Sequence, residues 1–302
     1  MPFVCLYPEH TPPKQSQAFM KAALSTFVLI FYTALSFAQS SSAKPFVLGV
    51  IDEIQSEQLG EKRILNVYLP EGYSKNDTLK YPVIYLLDGS ADEDFIHVVG
   101  LVQFNTFPWI NRIPKSIVVG IANVDRRRDF TYPTTLEQDK KRYKTAGKSE
   151  KFIAFLEKEL QPYIEHTYKT TPSKTIIGQS LGGLLATEIS LKKPTLFNKY
   201  IIISPSIWWD NLSLLKQPSL LLEEHFKQKT DIYIGVGKEG LSPSDIPHVM
   251  EVDANLLVDK IQSTKSKNVT VYFDYLPQED HATVTHQAIF NAMRLLYPSA
   301  KK

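Results

Sequence analysis

The chain has 302 residues, 43% of them hydrophobic and 22% charged, which excludes disordered, collagen-like and disulfide-framework classes and allows one large core. A formal net charge of +2 is too small to argue for nucleic acid or an anionic membrane surface as partner. Cys5 stands alone and cannot close an internal disulfide, and the seven histidines show no metal-site spacing.

Met1 to Phe19 is Pro-rich and lacks targeting features, so it reads as an upstream extension, with Met20 the expected translation start. Residues 20–38 carry Lys21, a short apolar run from Phe27 to Tyr32, and small residues at Ser36 and Ala38. This is the pattern of a secretory signal peptide. Cleavage after Ala38 leaves Gln39 as the new terminus, and no cysteine follows to carry a lipid anchor. The mature protein is then expected in the periplasm or secreted, without an integral membrane span. One domain is expected over residues 44–302.

Within that domain, Phe46–Gln55 and Arg63–Leu69 read as two strands joined by a polar turn at Gly60, an antiparallel pair at a sheet edge. Val83–Leu87 is continuously apolar, as in a strand buried on both faces, and a helical stretch follows to about Phe104. Ser116–Ile121 is a second such strand, followed by a long loop over 123–133. Ser149–His166 is an amphipathic helix whose last turn Pro162 should perturb. A strand over 174–178 leads into Gly178-Gln179-Ser180-Leu181-Gly182-Gly183 and a helix to about Leu191.

Strand, G-x-S-x-G turn and helix in succession describe a nucleophile elbow, which displays Ser180 above the sheet. Further on, Tyr200–Ile203, Asp231–Val236 and Asn268–Leu276 read as strands. Leu214–Lys229, His248–Ser263 and Thr283–Leu296 read as helices. Apolar strands alternating with amphipathic helices predict an α/β class with a mostly parallel central sheet, helices on both faces and little or no separate cap. Functional residues then collect at the carboxyl ends of the strands.

A serine hydroxyl needs a base at neutral pH, and in the α/β-hydrolase order an acid and then a histidine follow the serine. His281 leaves the last strand in the required loop, whereas His286 lies a turn inside the closing helix. As base, His281 must be neutral, so kcat/KM should fall on acidification through the ordinary histidine range, about 6.5. Glu239, just past the 231–236 strand, is the expected acid, with Asp245 and Asp253 as rivals. The Leu181 N–H should be one oxyanion donor, and Ser90 or Ala91 of the Asp88-Gly89-Ser90-Ala91 loop the other. Asp88 and Gly89 are expected to border the substrate. No metal or organic cofactor is required.

Tyr85-Leu86-Leu87-Asp88-Gly89, Val118–Ile121 with Arg126–Pro133, the elbow, Ser204-Pro205-Ser206-Ile207-Trp208-Trp209-Asp210 and His281-Ala282-Thr283-Val284 occur in that order. Together they resemble the "Putative esterase" family of α/β-hydrolases, in particular its branch of ferric-enterobactin and salmochelin trilactone esterases, across nearly all of 44–298. Ala282 and Ala146-Gly147 depart from the family's usual glycines.

The resemblance implies an exported serine esterase with Ser180 and His281 as the core pair and an acid near Glu239. It acts on a small-molecule ester, with a siderophore trilactone as the leading substrate and acetyl or feruloyl groups on polysaccharide as the alternative. A non-catalytic binding protein on the same cleft is the contrasting class. Arg126 and Arg128 offer guanidinium groups to an anionic ferric catecholate, against which stands an Arg128–Asp129 pair that merely fixes the loop. Trp208 and Trp209 offer an aromatic wall, against ordinary packing under a loop. No feature of the sequence fixes an oligomeric state.

Overall fold

Apolar strands sandwiched between helix layers bury both their faces, and the side chains of this chain sort accordingly. The computed structural model describes Ser25, Thr26, residues 44–76 and residues 78–297. The 1–19 extension and the 20–38 signal segment, Ser25 and Thr26 apart, lie outside the described residues. No helix among the described residues is long and apolar enough to cross a membrane. From Leu48 onward the chain forms one unit.

Among the described residues one eight-stranded sheet runs in the order β1-β2-β4-β3-β5-β6-β7-β8. The strands are β1 (Val50–Ser56), β2 (Glu61–Tyr68), β3 (Tyr81–Leu86), β4 (Ile117–Ile121), β5 (Thr170–Gln179), β6 (Lys199–Ile203), β7 (Thr230–Gly237) and β8 (Val269–Leu276). β2 pairs antiparallel with β1 and β4, and every other pairing is parallel.

The period of two in each parallel strand divides its side chains between two cores. Val83, Tyr85, Ile176, Tyr200, Ile202, Ile232 and Ile234 enter one core, and Ile84, Leu86, Ile177, Ile201, Ile203 and Tyr233 enter the other. The first core is closed by α4 (Ser149–Phe155), α6 (Leu181–Lys192) and α7 (Met250–Gln262). The second is closed by α1 (Phe95–Thr106) and α8 (Val284–Leu296). This is the α/β-hydrolase fold.

Three segments differ from the sequence expectation. The loop over 123–133 contains a short helix, α2 (Arg126–Phe130), whose N-cap Asp125 accepts from the Arg128 N–H. A second short helix, α3 (Glu137–Arg142), follows. Pro162 disturbs its helix before rather than at the last turn. Leu156–Leu160 forms a π turn between α4 and α5 (Gln161–Thr167), with the Gln161 N–H reaching back to Leu156 O. The wider turn puts the proline at the start of a new α segment, where its missing N–H costs no bond.

The expected helix over 214–229 is absent. Only two 3₁₀ turns, Ser213–Lys216 and Leu220–Leu222, form there. Pro218 holds Gln217 in an extended conformation and so separates them.

Candidate active site

Register decides what stands next to what. Gln179 pairs with Ile203, so β5 and β6 end level; Ile203 pairs with Gly235, and β7 runs two residues further to Gly237, which pairs with Leu276 at the end of β8. The turns after these four strands therefore share one edge.

On the first turn, Ser180 has φ 59° and ψ −118°, a conformation that costs a non-glycine residue about 1–3 kcal/mol. The neighbouring glycines make the turn possible. A Cβ on Gly178 would run into the backbone of Gly182, and one on Gly183 would press on Ile203 O and Pro205. The Ser180 N–H bonds Ile203 O, and Ser180 O accepts from the Leu184 and Ser206 N–H groups.

Three side chains distant in sequence meet here. Ser180 Oγ lies 3.0 Å from His281 Nε2, and His281 Nδ1 lies 2.6 Å from Glu239 Oε2. The Glu239 side chain is 2% exposed and that of His281 45% exposed. Burial pushes the Glu239 carboxyl up, but hydrogen bonds from His281, Ser204 and the Gly237 N–H outweigh it and leave the group below the usual glutamate range. A buried carboxylate ionised in this way orients an imidazole and stabilises its protonated form. The rivals lie elsewhere: Asp253 bonds His248, and Asp245 is exposed in its loop.

Supporting residues that the sequence reading left without a role surround this set. Ser204, at φ 42°, donates its hydroxyl to Glu239. Ser206 Oγ is 3.5 Å from Ser180 Oγ. Gln179 Nε2 holds the His281 carbonyl at 2.8 Å. Glu251, at the start of α7, accepts from the Glu239 and Gly240 N–H groups. The Lys238 N–H bonds Glu279 O, joining the acid turn to the histidine loop. Ser204 and Ser206 belong to the quoted Ser-Pro-Ser-x-Trp-Trp segment, which was their one visible signal.

A cavity of about 540 Å³ opens beside Ser180, bordered by Leu181, Arg126, Arg127, Tyr143 and Trp208. The expected binding residues divide. Arg126 reaches the cavity and is fixed by Asp88 through contacts of 2.6 and 2.9 Å, with a further bond to Gln179 O. Asp88 itself is buried and anchors Arg126 from behind rather than bordering the space.

Gly89 serves the backbone. Its N–H bonds Ile121 O, its carbonyl accepts from Asn66, and a Cβ would strike Gly120. Ser90 and Ala91 border neither this cavity nor the smaller one beside His281. The Ser90 N–H leans towards Glu93 Oε2 at 3.4 Å, and Ala91 is exposed. Neither residue therefore lines the space over Ser180 where the second oxyanion donor is expected.

Arg128 corrects the expectation of a substrate contact. It bonds Glu61 at 2.5 and 3.0 Å and Asp129 at 2.8 Å, and Arg63 bonds the same two carboxylates. Burial works to raise the Glu61 carboxyl, but the Arg128 hydrogen bond and the two guanidinium charges hold it below the usual range. Two cations and two anions neutralise one another and lock α2 to β2. Arg127 takes the place expected of Arg128, lying 4.9 Å over the Tyr143 ring on the cavity wall.

The tryptophans divide as well. Trp209 is 1% exposed and tied to Tyr132 by its Nε1–H and its carbonyl, so packing dominates although its edge touches the cavity. Trp208 borders both cavities beside Ser180.

The fold and the elbow with its convergent histidine and carboxylate define a hydrolase of the α/β class. Residues 56–290 match the model of the family described as "Putative esterase", and the chain belongs to that family of carboxylic-ester hydrolases. It is 27% identical over 263 residues to the ferri-bacillibactin esterase BesA of Bacillus subtilis, covering 79% of this chain and 86% of the relative. It is 32% identical over 174 residues to the siderophore triacetylfusarinine C esterase of Aspergillus fumigatus, covering 54% and 58%. A solved structure of an IroE-like serine hydrolase from Shewanella oneidensis is similar at a TM-score of 0.71 and 31% identity, covering 82% of this chain and 80% of that one.

Proposed function

We propose that this chain is an exported serine esterase that cleaves its substrate through an acyl-enzyme. The observation that carries the reading is the continuous contact from Ser180 Oγ through His281 to Glu239 at the end of a strained elbow. His281 Nε2 accepts the hydroxyl proton as Ser180 Oγ attacks the carbonyl carbon. The Leu181 N–H, one of the free donors at the start of α6, faces the developing oxyanion. His281 then protonates the leaving alcohol, and water repeats the sequence in reverse.

The larger cavity favours an acyl group that is aromatic and negatively charged, since Arg127 and Arg126 stand beside Tyr143 and Trp208. A catecholate siderophore ester has that chemistry, and the names of the relatives point the same way. Export rests on the 20–38 signal segment, and terminal sequencing of the exported chain should begin at Gln39.

A fluorophosphonate probe tests the nucleophile. It should label Ser180, and Ser180→Ala should abolish both labelling and hydrolysis of p-nitrophenyl acetate. Hydrolysis retained by the variant would show that another group attacks. A panel of ferric and iron-free catecholate trilactones, feruloyl and acetyl sugars and short p-nitrophenyl esters ranks the substrates, with the trilactones expected first.

A further inference from the structure

The space over Ser180 has two lobes, one of about 540 Å³ and one of about 300 Å³. Ser180, Ser206, Trp208 and Pro243 border both. Leu181 and the arginines Arg126 and Arg127 border only the larger, whereas His281, Leu241 and Met250 border only the smaller. Granted the serine-esterase reading above, this division dictates which way round an ester binds.

Addition of Ser180 Oγ gives a carbon with four substituents: Oγ, the oxyanion, the acyl carbon and the alkoxy oxygen. The oxyanion turns to the Leu181 N–H. The alkoxy oxygen must face His281 Nε2, because the imidazolium returns its proton there as the carbon–alkoxy bond breaks. The alkoxy group therefore extends into the lobe that His281 borders. The acyl carbon is left pointing into the lobe of Leu181 and the arginines.

The smaller lobe also has a chemistry of its own. Leu241, Pro243 and Met250 make its walls apolar, and the Glu239 carboxylate is already occupied by His281, Ser204 and the Gly237 N–H. Hydroxyl groups of a sugar alcohol would find few partners there.

Its roof is a built element. Leu241 bridges Val249, the Ser242 N–H bonds His248 O, and the Met250 N–H bonds Gly240 O. His248 then pins this hairpin to Asn211 on one side and Asp253 on the other.

We propose that the smaller lobe is an alcohol site that takes the aliphatic carbons next to the alkoxy oxygen against its apolar walls, and the larger lobe an acyl site for aryl groups with acidic hydroxyls. In the first half-reaction the Oγ–carbon bond forms, the alkoxy–carbon bond breaks, and the serine proton leaves on the alcohol. In the second, water enters the smaller lobe, gives one proton to Nε2 and its hydroxyl to the carbonyl carbon. That proton returns to Ser180 as the acid departs.

Two isomeric esters test the orientation, since they carry the same groups reversed about the ester. They are methyl 3-(3,4-dihydroxyphenyl)propanoate and 2-(3,4-dihydroxyphenyl)ethyl acetate. The first should show a kcat/KM at least about tenfold higher. Leu241→Trp, at an exposed position on the lobe wall, should lower kcat/KM for the butyl ester of the same acid at least about tenfold more than for the methyl ester. Equal or reversed preference between the isomers, or equal losses for the two alkyl esters, overturns the assignment. If Ser180 is still labelled by the fluorophosphonate, that outcome removes the orientation alone. If Ser180 is not labelled and neither isomer is cleaved, the esterase reading fails and the orientation with it.

Discussion

Two histidine–carboxylate pairs lie on the same edge of this sheet, and they do opposite things. His281 Nδ1 meets Glu239 at 2.6 Å, and its Nε2 faces a serine hydroxyl. His248 Nδ1 meets Asp253 at 3.3 Å, and its Nε2 faces the side-chain oxygen of Asn211 at 3.1 Å. The first carboxylate is surrounded by donors, which overcome its burial and keep it ionised. In the second, Asp253 Oδ2 has no partner among the described residues, and burial pushes the carboxyl up with only partial offset from His248. A histidine beside an acid is thus not enough to make a base. Its second nitrogen needs a reactive hydroxyl, and its acid needs enough donors to stay charged.

The largest expected effect separates the two pairs at once. Glu239→Gln keeps the shape but loses the charge that stabilises a protonated His281, so kcat/KM should fall by about 10³–10⁴-fold. Asp253→Asn should leave turnover per folded molecule within about threefold, because His248 never touches Ser180. Steady-state assays on both variants, normalised by fluorophosphonate titration, measure this. Comparable losses would break the distinction.

Next in size is the loss of the pin. His248→Ala strands a buried carboxylate and the Asn211 side chain, and should lower stability by about 2–4 kcal/mol in urea unfolding. A change below about 0.5 kcal/mol would mean that the hairpin is held by its backbone bonds alone.

The smallest effect lies in the pH dependence of stability, where the two acids have opposite signs. Glu239 has a native pKa below its ordinary 4.5, so its stabilisation is present above that value and lost as pH falls through the native pKa. Asp253 has a native pKa above its ordinary 3.8, so its contribution is present below that value and lost as pH rises through the native pKa. Urea midpoints measured from pH 3 to 7 should therefore show a shallower acid loss in Glu239→Gln. Asp253→Asn should show a steeper one. Parallel profiles for the two variants would contradict the difference in hydrogen-bond donors around the two carboxylates.

Much of the catalytic half of the site was legible because it depends on local rules. The elbow needs glycines at fixed spacing around a serine, and Ser180, Glu239 and His281 follow the ends of strands that apolar runs announce. The binding half was less legible. Arg126, Arg127 and Arg128 are consecutive, yet two border a cavity and one closes an ion cluster with Glu61, Arg63 and Asp129. The choice depends on the phase of a single helical turn docked between a strand and a loop, which periodicity over five residues does not define. The absent helix over 214–229 has a plainer cause, since Pro218 stands in the segment and its effect on Gln217 outweighed the leucine content.

By itself, then, the sequence determined the alternation that buries a sheet on both faces, the strained turn that displays Ser180, and the order in which acid and histidine follow. These are set by side-chain period and by glycine spacing within a few residues. Tertiary structure alone decided that Ser204 backs the Glu239 carboxylate, that Arg127 rather than Arg128 faces the cavity, and that Trp208 stands between two lobes. Each of those outcomes is a distance between residues on different loops, fixed by strand register and loop backbone angles that no local pattern carries.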